Sequence, residues 1–122
     1  MHQHHHINYV EFHTRDIAAN RKFFEAVFSW SFTEYGPDYL AFKGSGIEGG
    51  FFKSDKHNDA KNGGALVVIL SDDLEASQQA VESNGGKVIV PIFSFPGGRR
   101  FHFSDPNNNE WAVWSLVDDG TH

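Results

Sequence analysis

Two short segments carry the side chains most capable of chemistry, and in each the polar residues alternate with apolar ones. The first contains Glu11 and His13, and the second contains Arg100 and His102. Side chains two residues apart on a strand lie on the same face, so each pair would face one ligand. A buried glutamate can be tuned towards neutral pH for acid–base work. Glu11 and His13 are therefore weak candidates for catalysis, since no nucleophile or oxyanion donor accompanies them.

Two further patterns each allow two interpretations. Arg99 and Arg100 could hold an anion through their forked donors, or they could lie on a solvated rim. Residues 44–49 (GSGIEG) match a dinucleotide-binding pattern, which requires a helix to start directly after the glycines. Because residues 51–53 (FFK) predict a strand, we interpret the glycine run as a hairpin connection.

Length and composition restrict the class of protein. The chain has 122 residues, 15% of them aromatic, with a net charge of −6 and no cysteine. This length predicts one domain, and the missing cysteines exclude disulfides. The acidic balance argues against nucleic acid as a partner, and no apolar run reaches the roughly 20 residues that span a bilayer. We expect a cytoplasmic protein whose residues 1–6 form a flexible histidine-rich tail without a catalytic role.

The hydrophobic pattern repeats once along the chain. Strands are predicted at 7–14, 30–35, 39–43 and 50–53, and Asp16 is the expected N-cap of a helix after the first strand. A polar linker follows at 54–64. The pattern then restarts 57 residues on, with strands at 65–70, 87–90, 99–104 and 111–116 and a helix capped by Asp72 or Asp73. We predict one domain over 7–122, with module one at about 7–53 and module two at about 65–116.

The aromatic residues divide into two predicted groups. A larger group should pack between sheet and helices, and a smaller group should line a cavity. The predicted core contains Phe12, Phe24, Phe28, Phe101, Phe103, Trp111 and Val113, whereas the predicted cavity wall contains Tyr9, Tyr39 and Trp114.

Three stretches resemble motifs of one superfamily. They are residues 10–30, with Ser29 where glycine is usual, residues 84–88 (NGGKV), and the turn at 105–109 (DPNNN). In that turn Asn108 stands where the family has glycine, a tolerable change because asparagine accepts positive φ. Over Ile7 to Leu116 the chain resembles the vicinal-oxygen-chelate superfamily, which includes glyoxalase I, bleomycin-resistance proteins and extradiol dioxygenases.

This resemblance implies an α+β fold of two tandem β-α-β-β-β modules. Their curled mixed sheets would surround a cavity, with the helices on the outer face, and the protein would be a homodimer. Carried over by position, the family's metal-binding places fall on Tyr9, Leu66 and Ala112 and near Gly50. Leucine and alanine cannot bind a divalent ion, so we predict no metal and no cofactor.

The predicted function is binding of a small aromatic or amphipathic molecule in the cavity, with the homodimer as the other expected partner. The alternative is an enzyme of lyase, isomerase or dioxygenase type, using either Glu11/His13 acid–base chemistry or a displaced metal held by Glu11, His13 and His102. A third interpretation is an interaction domain whose cavity is filled by its own aromatic residues. The expected ligand-binding residues are Tyr9, Glu11, His13, Arg100, His102 and Trp114.

Overall fold

The computed structural model describes residues 2–116 and confirms two β-α-β-β-β modules. Met1, in the predicted tail, and residues 117–122, at the end of the predicted domain, lie outside the described residues. Neither helix of the described part has the length and apolarity needed to cross a membrane. The elements, in chain order, are β1 (Tyr9–Thr14), α1 (Ile17–Phe28), β2 (Ser31–Glu34), β3 (Tyr39–Lys43), β4 (Glu48–Lys53), a 3-10 helix (Ala60–Asn62), β5 (Val67–Leu70), α2 (Leu74–Ser83), β6 (Lys87–Phe95), β7 (Gly98–Ser104) and β8 (Glu110–Leu116).

The eight strands form two mixed sheets of four strands each. The first has the order β1-β4-β3-β2 and the second the order β5-β8-β7-β6. In each sheet the first and last strands of the module pair in parallel, and the remaining pairs are antiparallel. The two sheets therefore repeat one topology, as the 57-residue offset predicts.

Local signals fix the ends of the helices. The Asp16 carboxylate accepts a hydrogen bond from the Ala19 amide at 3.1 Å, which confirms it as the N-cap of α1. Asp73, rather than Asp72, caps α2 in the same way. Ser29 ends α1 with a left-handed φ of 60°, and Asn108 has a φ of 68°, as expected for residues in places where glycine is usual.

The sixth strand is longer than the sequence predicts. We expected it to end at Val90, but β6 continues through Pro91 to Phe95. Proline cannot donate a ladder hydrogen bond, so it is tolerated on edge strands and at bulges. Here β6 is an edge strand, and its register shifts between Val88 and Phe93. The extension places Phe93 and Phe95 in the sheet.

One aromatic core lies between the two α-helices and the faces of the sheets that are turned towards them. Most of its predicted members are buried, and Phe28 packs against them half-buried. The Phe12 and Trp111 rings stack at 4.4 Å and so connect the two modules. The sequence interpretation missed four further buried aromatic residues, which are Phe23, Trp30, Phe42 and Phe51.

The 105–109 turn joins module two to module one. The buried Asp105 carboxylate accepts hydrogen bonds from Asn20 Nδ2, Trp111 Nε1 and the backbone amides of Asn107 and Asn109. Burial raises the pKa of this carboxyl even though four N–H groups donate to it. The Asn109 side chain donates to the carbonyl of His13 in β1. This network fixes the relative position of the modules.

Candidate functional site

Each sheet has an open face, which we define as the face turned away from the helices. On the open face of the first sheet, Tyr39 Oη donates to Glu11 Oε2 at 2.9 Å, and Tyr9 Oη donates to Tyr39 Oη at 2.6 Å. Burial, together with these hydrogen bonds to Tyr9 and Glu11, raises the pKa of the Tyr39 phenol. Tyr39 therefore remains a proton donor, and the three side chains form a linear hydrogen-bonded chain from Tyr9 through Tyr39 to Glu11.

Gly50 makes this chain possible. It pairs with Glu11 across the parallel ladder, and a Cβ added to it would overlap the Tyr39 hydroxyl. The phenol thus occupies the space that any larger side chain at position 50 would need. His13 lies on the same face but is separately engaged, since its Nδ1 is 3.0 Å from Ser54 Oγ and its ring lies 4.3 Å from that of Phe52.

On the open face of the second sheet, Arg100 lies among aromatic side chains. It pairs across the ladders with Phe93 and Trp114. Its guanidinium carbon lies 5.3 Å and 5.5 Å from the ring centres of Phe93 and Phe95, within cation–π range. Its buried Nε has no hydrogen-bond partner, and among residues 2–116 no carboxylate forms an ion pair with it. The Arg100 guanidinium, whose Nε–H has no acceptor in this part of the chain, is thus held by the rings of Phe93 and Phe95.

A histidine–carboxylate pair lies beside Arg100 on this face. His102 Nδ1 is 2.8 Å from Glu110 Oε2, and Glu110 Oε1 accepts a hydrogen bond from the Ala60 amide at 2.9 Å. Both side chains are about nine-tenths buried. His102 Nε2 is also buried, and it has no hydrogen-bond partner in the described chain. Buried polar atoms are nearly always paired, so two unpartnered nitrogens on the same face of β7 mark this face as a candidate site.

The adjacent arginines lie on opposite faces of β7 and do not form a clamp. Arg99 donates to both carboxylate oxygens of Glu75 on α2, and these hydrogen bonds lower the pKa of Glu75. Strand alternation turns Arg100 to the open face instead. Only Arg100 is therefore placed to meet a ligand there.

The residues at the family's metal-binding places do not fit a metal. Ala112 pairs with Val68, Leu66 lies just before β5, and Gly50 is covered by Tyr39. Within the described residues, no three His, Asp or Glu side chains come close enough to hold an ion. Glu11, His13 and His102, the displaced set considered from sequence, are not brought together.

A concavity in another part of the fold is an apolar groove beside the edge strands β1 and β5. Its volume is about 730 Å³, and Ile7, Ile47, Leu70 and Trp30 are among its lining residues. Ligand sites normally combine an apolar wall with a few placed polar groups. Apolar side chains predominate in the lining of this groove, whereas the second open face combines rings with charged and polar atoms.

The six predicted ligand-binding residues are divided between the two open faces. Tyr9, Glu11 and His13 lie on the first, and Arg100, His102 and Trp114 lie on the second. Sequence reasoning missed Phe93, Phe95 and Glu110. The length of the 105–109 turn could have predicted the position of Glu110. A five-residue connection pairs Ser104 with Glu110 across β7 and β8, and this pairing places Glu110 diagonally opposite His102.

The chain belongs to the Glyoxalase/Bleomycin resistance protein/Dioxygenase superfamily, whose family model matches residues 6–113. This match confirms the resemblance seen in the three sequence motifs. No curated protein sequence matches the chain.

Solved structures with the same fold are distant in sequence. A glyoxalase/bleomycin resistance protein/dioxygenase family enzyme from Burkholderia phytofirmans superposes with a TM-score of 0.76 at 18% identity, covering 91% of this chain and 98% of that one. A fosfomycin resistance protein from Mesorhizobium loti gives a TM-score of 0.75 at 16% identity, covering 94% and 95%. A lactoylglutathione lyase from Agrobacterium tumefaciens gives 0.68 at 20% identity, covering 91% and 93%. At these identities the likeness establishes the fold alone.

Proposed function

We propose that this protein binds a small aromatic anion on the open face of its second sheet, without a metal ion. The observation that supports this most is the buried pair of unpartnered nitrogens, Arg100 Nε and His102 Nε2. An aromatic ring of the ligand would stack among Phe93, Phe95 and Trp114, and its anionic group would meet Arg100.

The packing around Arg100 supports a side chain that is fixed in position before an anion binds. Gly98 packs closely against Trp114. A Cβ added to Gly98 would lie 3.1 Å from the indole and would overlap the Ser115 carbonyl oxygen. Phe95 lies 6.2 Å from the same indole. The aromatic side chains therefore support one another as well as Arg100, which lowers the entropic cost of binding.

Calorimetry on metal-stripped protein tests this function with benzoate as the probe. Benzoate should bind after EDTA treatment, and Arg100→Met should weaken its affinity by about tenfold or more, because the variant keeps the length but removes the charge. Arg15→Met is the matched control, since Arg15 is exposed and has a single 3.4 Å contact to the Asp55 carbonyl. Binding that requires added metal, or equal loss in both variants, would contradict the proposal.

The second candidate function is acid–base catalysis at Glu11. It is favoured by one observation, the 2.9 Å hydrogen bond through which Tyr39 orients the Glu11 carboxylate. A carboxylate oriented by a neutral phenol suits proton transfer at a fixed place. Turnover of a carbonyl substrate that is lost in Glu11→Gln and retained in Arg100→Met would favour this candidate over metal-free binding.

A further inference from the structure

We propose that Glu110 fixes the tautomer of His102 so that Nε2 accepts a hydrogen bond from the ligand. This inference rests on the proposed function, and it narrows the ligand class to aromatic anions that also carry a hydroxyl or N–H group. Neither His102 Nε2 nor its partner Glu110 takes part in the acid–base site on the first sheet.

The tautomer follows from the donor and acceptor inventory. An ionised carboxylate only accepts hydrogen bonds, so the imidazole must present Nδ1–H to Glu110 Oε2. In the neutral form of the ring, the lone pair is then at Nε2. Glu110 cannot turn away from this contact easily, because its other oxygen accepts from the Ala60 amide at 2.9 Å. In this form Nε2 is an acceptor without a donor.

The positions of Arg100 and His102 restrict the ligand. The two residues are two positions apart on one face of β7, so their side chains can meet the same molecule. A molecule that engages both needs an anionic group for Arg100 and a separate proton donor for Nε2. A benzene ring with a carboxylate and a para hydroxyl group carries both, and its ring fits the aromatic surroundings of Arg100.

Access to Nε2 would be through Phe93. The ring of Phe93 lies 6.1 Å from the imidazole, and Phe93 is 37% exposed on the edge strand β6. It also lies under the Arg100 guanidinium. An outward shift of Phe93 would let the ligand ring stack against it, with the anionic group at Arg100 and the hydroxyl or N–H group at the buried Nε2.

The first test reads the tautomer directly. Nitrogen-15 NMR of the full chain should show His102 protonated at Nδ1. In Glu110→Gln the side-chain oxygen would still accept from Ala60, so the amide NH2 would face Nδ1 and move the proton to Nε2. Glu82→Gln, on the exposed side of α2, is the control and should leave the tautomer unchanged. An Nε2–H tautomer, or a ring protonated at both nitrogens, in the unmodified protein would overturn the inference.

The second test compares ligands on the same variants. The unmodified protein should bind 4-hydroxybenzoate about tenfold more tightly than 4-methoxybenzoate, and Glu110→Gln should remove this difference. A purely steric penalty of the methoxy group would persist in Glu110→Gln. If benzoate binds but the hydroxyl group gives no advantage, the role of His102 is refuted while the proposed function stands. If none of the three compounds binds, the proposed function itself fails.

Discussion

The two open faces are built from similar residue types but differ in the completeness of their hydrogen bonds. On the first, the hydroxyls of Tyr9 and Tyr39 and the Glu11 carboxylate satisfy one another. On the second, Arg100 Nε and His102 Nε2 are buried and unpartnered. A buried unpaired polar group costs about 1–3 kcal/mol, so these two nitrogens distinguish the second face as the candidate binding surface. The two modules share one topology, but the polar groups named on the first open face pair with one another, whereas two nitrogens on the second have no partner within residues 2–116.

The divergence follows from the neighbours of the acidic groups. Module one has Glu11 on its first strand, and the equivalent position 57 residues later is Val68. Both modules have a glutamate at the start of the last strand, Glu48 and Glu110, but Glu110 engages His102, whereas Ala41 takes the corresponding place in module one. The chemistry of the two faces therefore cannot be inferred from the repeat alone.

The largest expected effect is on the free energy of unfolding, and it comes from a substitution in the 105–109 turn, which holds the two modules together. Asp105→Asn should reduce the free energy of unfolding by about 2–4 kcal/mol, because an amide has one acceptor oxygen and its NH2 would oppose two of the four N–H donors. Urea unfolding followed by tryptophan fluorescence measures this loss. Asp38→Asn, at an exposed position, is the control. Equal stabilities of the two variants would show that the turn does not hold the modules together.

A smaller effect on stability should distinguish the glycine of the second open face, Gly98, from the glycine of the first, Gly50. Gly98→Ala should destabilise the protein by about 1–3 kcal/mol, since the added Cβ overlaps the Ser115 carbonyl and forces backbone movement. Gly50→Ala overlaps the hydroxyl and ring of Tyr39, which would swing away from Tyr9 and Glu11; because the two hydrogen bonds lost are exposed, the cost should be about 1 kcal/mol. Urea unfolding of the two variants gives this order, and the reverse order would contradict the account of how each face is packed.

The sequence predicts the fold well because its signals are local. Strand alternation, the capping role of Asp16 and the positive φ of Asn108 each depend on a few neighbouring residues. The extent of β6 was not predictable in the same way, because Pro91 interrupts a strand pattern and the compensating edge position is a property of the whole sheet.

The candidate site was harder to predict because its contacts join distant segments. Tyr39 reaches Glu11 across 28 positions, and it does so over Gly50, which has no side chain of its own. The pairing of His102 with Glu110 depends on the antiparallel register of β7 and β8. Alternation in the sequence already grouped Glu11 with His13 and Arg100 with His102, but the aromatic surroundings of Arg100 and the Glu110 partner of His102 required the three-dimensional structure.

The central claim is that the second open face binds an aromatic anion without metal, and NMR tests it most directly. Titration of metal-stripped, nitrogen-15-labelled protein with benzoate should shift the Arg100 Nε and Trp114 indole signals. The Trp30 and Trp111 indoles lie in the core and should remain in place. Shifts at Arg100 and Trp114 that saturate together would support the account. Shifts confined to the Tyr9 and Glu11 face, or shifts that appear only after metal is added, would contradict it.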